Sequence, residues 1–331
     1  DNVLINGSVL PDDSLLYEIG NLPAGTSLYA GDTLVAVRLD RNGAAGFKME
    51  KYQHGDRVTL NTSPMVIGHP WDIFTMNGEA LEADFRVLTK NRVSAELSAS
   101  NMVFNPENVF LESDARVEGA IINADAGPIY IAAHAEIMEG CMIRGPFAIG
   151  EHAKLRMGAK IYGPTTVGPY SMAGGEILNS VIHGYSNKVH EGYLGNSILG
   201  EWCNLGADTN NSNLKNNYSQ VKLWNYRVEE FVPTGQQFCG LVMGDHSKCG
   251  INTMFNTGTV VGVYANIFGS GFPPNFIPSF SWGGPERFTT YQLDKAFEVA
   301  AEVMKRRGRT FDQMDMDILQ TIFEMTEKYR P

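Results

Sequence analysis

The sequence predicts a mainly β chain whose middle is a parallel β-helix of six-residue repeats, between a partial α/β region and C-terminal helices. Three observations predict it: an aliphatic period of six, glycine placed beside that period, and a change of pattern at both ends. Stepping by six from Ile131 reaches Ile137, Ile143, Ile149, Leu155, Ile161 and Val167, seven aliphatic residues in one phase. A second run steps from Met243 through Cys249, Phe255, Val261 and Ile267, and a shorter one joins Tyr193, Leu199 and Leu205. Glycine follows the repeat residue at Gly150, Gly168, Gly206, Gly244, Gly250 and Gly262.

Helices repeat every 3.6 residues and strands every 2, so a period of six requires one short strand plus one corner. Three such units make a triangular coil of about 18 residues, and stacked coils bury a core that no single coil could bury alone. Chance alternation in a β-sandwich would not hold phase for seven residues. Two segments interrupt the period, at about 172–192 and 208–239, the second carrying Asn210, Asn211, Asn213, Asn216 and Asn217. Long excursions from a rigid scaffold usually carry function.

Residues 1–100 lack the period. Thr33 opens an apolar run, Leu34 to Val37, that reads as a strand; Asp12–Ile19 and Asn77–Leu88 read as helices. Residues 101–283 are assigned to the β-helix and 284–331 to C-terminal helices. There, Leu293, Phe297, Ala300 and Met304 mark one buried helical face, and Met314, Ile318, Ile322 and Met325 another, opened by a capping box at Thr310 and Gln313. The basic cluster Lys305, Arg306, Arg307 and Arg309 reads either as a solvated helix C-terminus, which the helix dipole favours, or as a contact to CoA phosphates.

A chain of 331 residues at −11 formal charge holds two or three domains and carries no basic footprint for nucleic acid. No apolar run approaches the ~20 residues of a membrane span. Four scattered cysteines without a C-x-x-C pair read as reduced thiols in a cytoplasmic protein.

The segment from Ser186 to Gly195, with His190, Tyr193 and Gly195, followed by Asn204-Leu205-Gly206-Ala207-Asp208-Thr209, resembles a specific family. It is similar to the acetyltransferase half of bifunctional N-acetylglucosamine-1-phosphate uridylyltransferase/glucosamine-1-phosphate N-acetyltransferases, in a Bacteroidetes-type variant. The resemblance implies a left-handed parallel β-helix, a hand that spacing alone does not give, since parallel crossovers are otherwise right-handed. It also implies a homotrimer with sites between neighbours, the 208–239 excursion reaching across. Acetyl-CoA is the implied co-substrate and an amino-sugar 1-phosphate the acceptor; no metal is implied for acetyl transfer, and any Mg2+ belongs with nucleotidyl transfer. By the same resemblance, His190 is the general base and Glu176 the carboxylate that orients it. Tyr193, Asn204 and Arg156 bind the sugar phosphate, and Asn213 lies by the acetyl group of the cofactor. The chain departs from the pattern at Leu178, where a phosphate-binding lysine is expected, at Asp208 and at Ile251. Lys188, Lys215 and Lys222 are candidates for the missing charge, and Lys188 is grouped with the substrate-binding residues. Residues 1–100 resemble the tail of the family's nucleotidyltransferase domain without its glycine-rich loop. The chain is therefore expected to begin inside that domain, with nucleotidyl transfer belonging to a longer protein.

The chemistry suits these residue types. An ammonium has no lone pair to attack a thioester, so a base titrating near neutrality must take its proton. Three other readings stay open: nucleotidyl transfer by the intact protein, a catalytically silent β-helix that only trimerises its attached domain, and a β-helix zinc enzyme built on His183, His190 and a third histidine. His134, His152 and His246 read as corner residues.

Overall fold

The computed structural model describes residues 1–49 and 56–331. It divides into two compact units, Asp1–Asp72 and Ile73–Pro331. In the first unit, β1 (Asn2–Ile5), β2 (Thr26–Ala30), β3 (Thr33–Leu39) and β4 (Asp56–Thr59) form a sheet in the order β1-β3-β2-β4. The apolar run after Thr33 is the central strand β3. Helix α1 (Asp13–Asn21) starts where Asp12 caps it, its carboxylate accepting from the Leu15 amide. Leu15, Ile19, Leu28 and Val35 close the core between helix and sheet.

In the second unit, helix α2 (Asn77–Thr89) is tied to the solenoid by the Thr166 hydroxyl, which donates to Asn77 Oδ1 at 2.9 Å. The solenoid runs from the strand Met102–Phe104 to the strand Ser281–Gly284. Every third strand pairs in parallel with the one a coil earlier, giving three faces. Face one includes Lys154–Leu155, Met172–Ala173 and Asn187–Lys188; face two Lys160–Tyr162, Glu176–Leu178 and Tyr193–Gly195; face three Thr165–Val167, Val181–Ile182 and Ile198–Leu199. This is the architecture of a left-handed parallel β-helix. All seven residues from Ile131 to Val167 are at most 2% exposed, inside one continuous core with Met243, Phe255, Val261 and Ile267.

The break at 172–192 is not an excursion. Lys154 pairs with Met172, 18 residues on, but Met172 pairs with Asn187, only 15 on, and Asn187 with Asn204, 17 on. The coil continues with shortened corners, so the period is lost while the stacking is kept. The same slip moves the phase at Tyr193: its neighbour Leu194 is the inward residue, 1% exposed, while Tyr193 is half-buried on the outer side. Between Asn204 and its next partner Lys248 the chain does leave the coil. That excursion carries a hairpin, Lys222–Asn225 against Glu230–Pro233. Trp224 stacks on Phe276 at 4.3 Å, and Lys328 pairs with Glu229.

Eight corner residues with left-handed backbone, His134, His152, Tyr170, Tyr185, Trp202, His246, Tyr264 and Phe280, stack ring on ring along one edge. Burial pushes the His246 pKa down to about 3, so its ring is neutral in the stack. Helix α3 (Leu293–Lys305) and helix α4 (Gln313–Met325) close over the upper part of this ladder, the Tyr264 hydroxyl donating to the Ala296 carbonyl at 2.5 Å. The cap of α4 is Asp312 with Asp315, not Thr310 with Gln313: Asp312 Oδ1 takes the amides of Met314 and Asp315. Its buried side centres on Leu319, while Met314, Ile318 and Met325 are exposed. The helix is rotated because the ladder offers Phe280, against which Phe323 packs edge-on.

Candidate active site

The residues singled out in the sequence gather around the edge where face one turns into face two. Glu176 opens its face-two strand directly after the corner Gly174-Gly175, in register between Lys160 and Tyr193. Tyr193 stands one coil farther on, and its hydroxyl accepts from Asn213 Nδ2 at 2.9 Å. Burial, with the nearby Glu176 charge adding to it, raises the Tyr193 pKa above that of an ordinary phenol, so it stays protonated. The Asn213 amide also donates to Asn196 Oδ1 at 2.7 Å, which fixes its orientation across adjacent coils.

His190 lies in the next corner of the same edge, residues 189–192, and its side chain is exposed. That corner is built tightly. Gly192 has φ +115°, and a β-carbon there would sit 2.1 Å from the Thr209 carbonyl oxygen, so only glycine fits. Among the described residues the His190 imidazole makes no hydrogen bond, and none joins it to the Glu176 carboxylate. The two belong to successive coils of one edge, as their 14-residue separation suggested. Arg156 sits in the corner below, exposed, its β-carbon 3.2 Å from where a Gly174 side chain would start.

Lys188 occupies an unexpected position. It follows Leu155 and Ala173 in the inward column of face one and is 2% exposed. A lysine there requires small residues beneath it, and Ala173, Gly174 and Gly175 supply the space; a β-carbon on Gly175 would lie 2.8 Å from Lys188 Nζ. The ammonium donates to the His190 carbonyl at 2.5 Å. Burial pushes its pKa down to about 8, against the opposing pull of Glu191 and Asp208. Its charge is spent on holding the His190 corner, and it turns no face to a ligand arriving from solvent. The cation on face two nearest Glu176 in register is Lys160, which the sequence reading passed over. It stands beside Glu176 in register, and its Nζ lies 3.4 Å from Glu191. Its outward position one coil before Glu176 was the signal.

Asn204 is exposed on face one, around the edge from Tyr193, accepting from Asn187 Nδ2 at 3.4 Å. Ile251 is 68% exposed in the corner after Cys249. Among the described residues His183 and His190 join no cluster of metal-binding groups. Among the described residues the one trio of such groups is His134, Glu151 and His152, all exposed. The two imidazoles there are stacked 4.7 Å apart at 13°, so their in-plane lone pairs run side by side rather than converging. The four cysteines are buried free thiols, and no helix among the described residues is long and apolar enough to cross a membrane.

The edge thus carries an exposed histidine in the corner before Tyr193, one coil beyond Glu176. Residues 1–93 match the family model for sugar nucleotidyl transferases. A bifunctional sugar-1-phosphate nucleotidylyltransferase/acetyltransferase of Sulfurisphaera tokodaii is 31% identical over 206 residues, 62% of this chain and 44% of the relative. The bifunctional protein GlmU of Methanocaldococcus jannaschii is 36% identical over 89 residues, 26% of this chain and 21% of its own length. The chain thus spans less than half the length of these curated relatives, the first of which is named a transferase. A hexapeptide transferase family protein of Anaplasma phagocytophilum aligns with 69% of this chain and 92% of its own, at 13% identity and a TM-score of 0.28.

Proposed function

We propose that the chain is the acetyltransferase part of a sugar nucleotidyltransferase/acetyltransferase, moving an acetyl group from acetyl-CoA to the amine of an amino-sugar 1-phosphate such as glucosamine 1-phosphate. The observation that carries this reading is the grouping of His190, Glu176, Tyr193 and Asn213 along one solenoid edge, in a chain similar to bifunctional enzymes of this kind. His190 takes a proton from the substrate ammonium. The freed lone pair attacks the thioester carbonyl carbon, the zwitterionic tetrahedral intermediate gives its surplus nitrogen proton to water, and it collapses with loss of the CoA thiolate, which takes a proton from the imidazolium. Backbone amides at the corner stabilise the oxyanion. Glu176 supplies the negative charge that favours the imidazolium. Tyr193 and Asn204 hold the sugar phosphate, Arg156 and Lys160 supply cations, and Asn213 faces the acetyl group. Lys188 serves by fixing the corner, a positioning role in place of a direct substrate contact.

The protein is proposed to work in the cytoplasm as a homotrimer, whose neighbours narrow the exposed edge into a cleft. Nucleotidyl transfer, with any Mg2+, is assigned to the kind of domain that residues 1–93 resemble. A silent, trimerising β-helix is the second reading, favoured by Leu178 and Ile251 at positions where binding residues are expected. The two separate in an assay of thiol release from acetyl-CoA with a panel of amino-sugar 1-phosphates. Turnover supports the enzyme; none across the panel, with an intact fold, leaves the scaffold.

A further inference from the structure

The chain carries a formal charge of −11, yet one cleft of the second unit is lined by cations and by no carboxylate. It has a volume of about 480 Å³ and lies between face one of the solenoid and the end of α3. Its floor is Asn187, Asn204 and Lys248, from three successive strands of face one. Its far wall is Arg306 and Arg307, in the turn that ends α3. Among the described residues neither arginine nor Lys248 forms an ion pair. Arg307 Nη2 donates to Asn187 Oδ1 at 3.1 Å, linking residues 120 apart in the chain, and Asn187 passes a bond on to Asn204. Lys248 is held by the His246 carbonyl at 2.9 Å, with two protons left to donate.

The remaining lining narrows the chemistry of the ligand. Tyr185 and Trp202 reach the cleft only with ring edges, because Trp202 is stacked between Tyr185 at 4.2 Å and His246 at 6.0 Å. No ring face is free to stack on a nucleobase. Met172 and Val303 add an apolar part, and the polar remainder is a pair of guanidinium groups over amides and an ammonium, the donor set that suits phosphate oxygens.

We propose that this cleft is a phosphate-binding subsite, in which Arg306 and Arg307 grip a phosphate group over Asn204 and Lys248. Naming its source rests on the acetyl-transfer reading above, since Asn204 borders both: the phosphate is that of the amino-sugar 1-phosphate or one of those of CoA. Binding itself does not rest on that reading.

The test is calorimetric titration of the full chain with CoA, with glucosamine 1-phosphate, and with glucosamine as the phosphate-free control. At least one phosphorylated probe binds, glucosamine does not, and Arg306→Gln/Arg307→Gln weakens binding roughly 10- to 100-fold, as loss of charge-assisted hydrogen bonds requires. Lys305→Gln, outside the cleft, leaves affinity unchanged. Arg306→Gln alone, at an exposed position, guards against misfolding of the double variant and weakens binding by itself. Loss confined to CoA or to the sugar phosphate names the source. The proposal is overturned if neither phosphorylated probe binds, if the arginine variants bind within threefold of wild type, or if Lys305→Gln loses as much. A chain that binds phosphate through Arg306 yet transfers no acetyl group would refute the acetyl-transfer reading and leave the subsite standing.

Discussion

Lys188 offers a perturbation whose size follows from its setting. Its ammonium is 2% exposed among apolar coil residues, and burial lowers its pKa from the ordinary 10.5 to about 8. At about 1.4 kcal/mol per pH unit, keeping that charge inside at neutral pH costs the fold roughly 3 kcal/mol. Between pH 8 and 10.5 the unfolded chain still holds the proton that the folded chain has released. Stability contributed by this group therefore rises with pH through that window and is lowest below pH 8. Lys188→Met keeps the length of the side chain and removes the charge. Replacing a buried ion by an apolar side chain of similar volume is often neutral or stabilising, so the variant matches or exceeds wild type in urea unfolding at pH 7. Raising the pH to 10 shifts the difference toward wild type by about 2–3 kcal/mol. Tyrosines and thiols titrate in both proteins and cancel in the comparison. A difference that stays constant within about 0.5 kcal/mol from pH 7 to 10 would show that the Lys188 ammonium is not buried in the coil.

Three further outcomes follow from the packing. Ile143→Ala, in the continuous solenoid core, lowers stability by about 2–5 kcal/mol in urea unfolding; a loss under about 1 kcal/mol would mean that the side chain is not inside. Tyr264→Phe removes the hydroxyl bond to the Ala296 carbonyl and costs about 1 kcal/mol, read as a lowered melting temperature; an unchanged melt would contradict the docking of α3 on the ring ladder. Gly192→Ala places a β-carbon against the Thr209 carbonyl at φ +115° and lowers acetyl transfer more than it lowers stability, because the strain falls on the His190 corner; unimpaired turnover would refute that coupling.

Where the coil keeps 18 residues, the sequence states its own fold: the phase from Ile131 to Val167 needs no partner to be read. Reading fails where corners change length. The 15-residue coil between Met172 and Asn187 looks like an excursion because period-counting detects spacing, whereas the ladder is set by backbone pairing, which tolerates a shorter corner. The inward lysine escapes notice for the same reason, since the slip hides that position 188 follows Leu155 and Ala173. Of the candidate site, the order His190, Tyr193, Asn204 is visible as a motif. The tie from Asn213 to Tyr193 and the bond from Arg307 to Asn187 arise from residues 20 and 120 apart, and no local pattern encodes them. The rotation of α4 onto Leu319 is likewise decided by what the ladder offers, against an apolar stripe that points elsewhere.

The central claim is that His190 acts as the base that frees the substrate amine. It is tested most directly by the pH–rate profile of His190→Ala for acetyl transfer to glucosamine 1-phosphate, beside wild type. The account expects turnover at pH 7 to fall by about 100- to 10,000-fold, with acetyl-CoA affinity little changed and the deficit narrowing as rising pH deprotonates the amine unaided. Near-normal turnover of His190→Ala at pH 7 would contradict it.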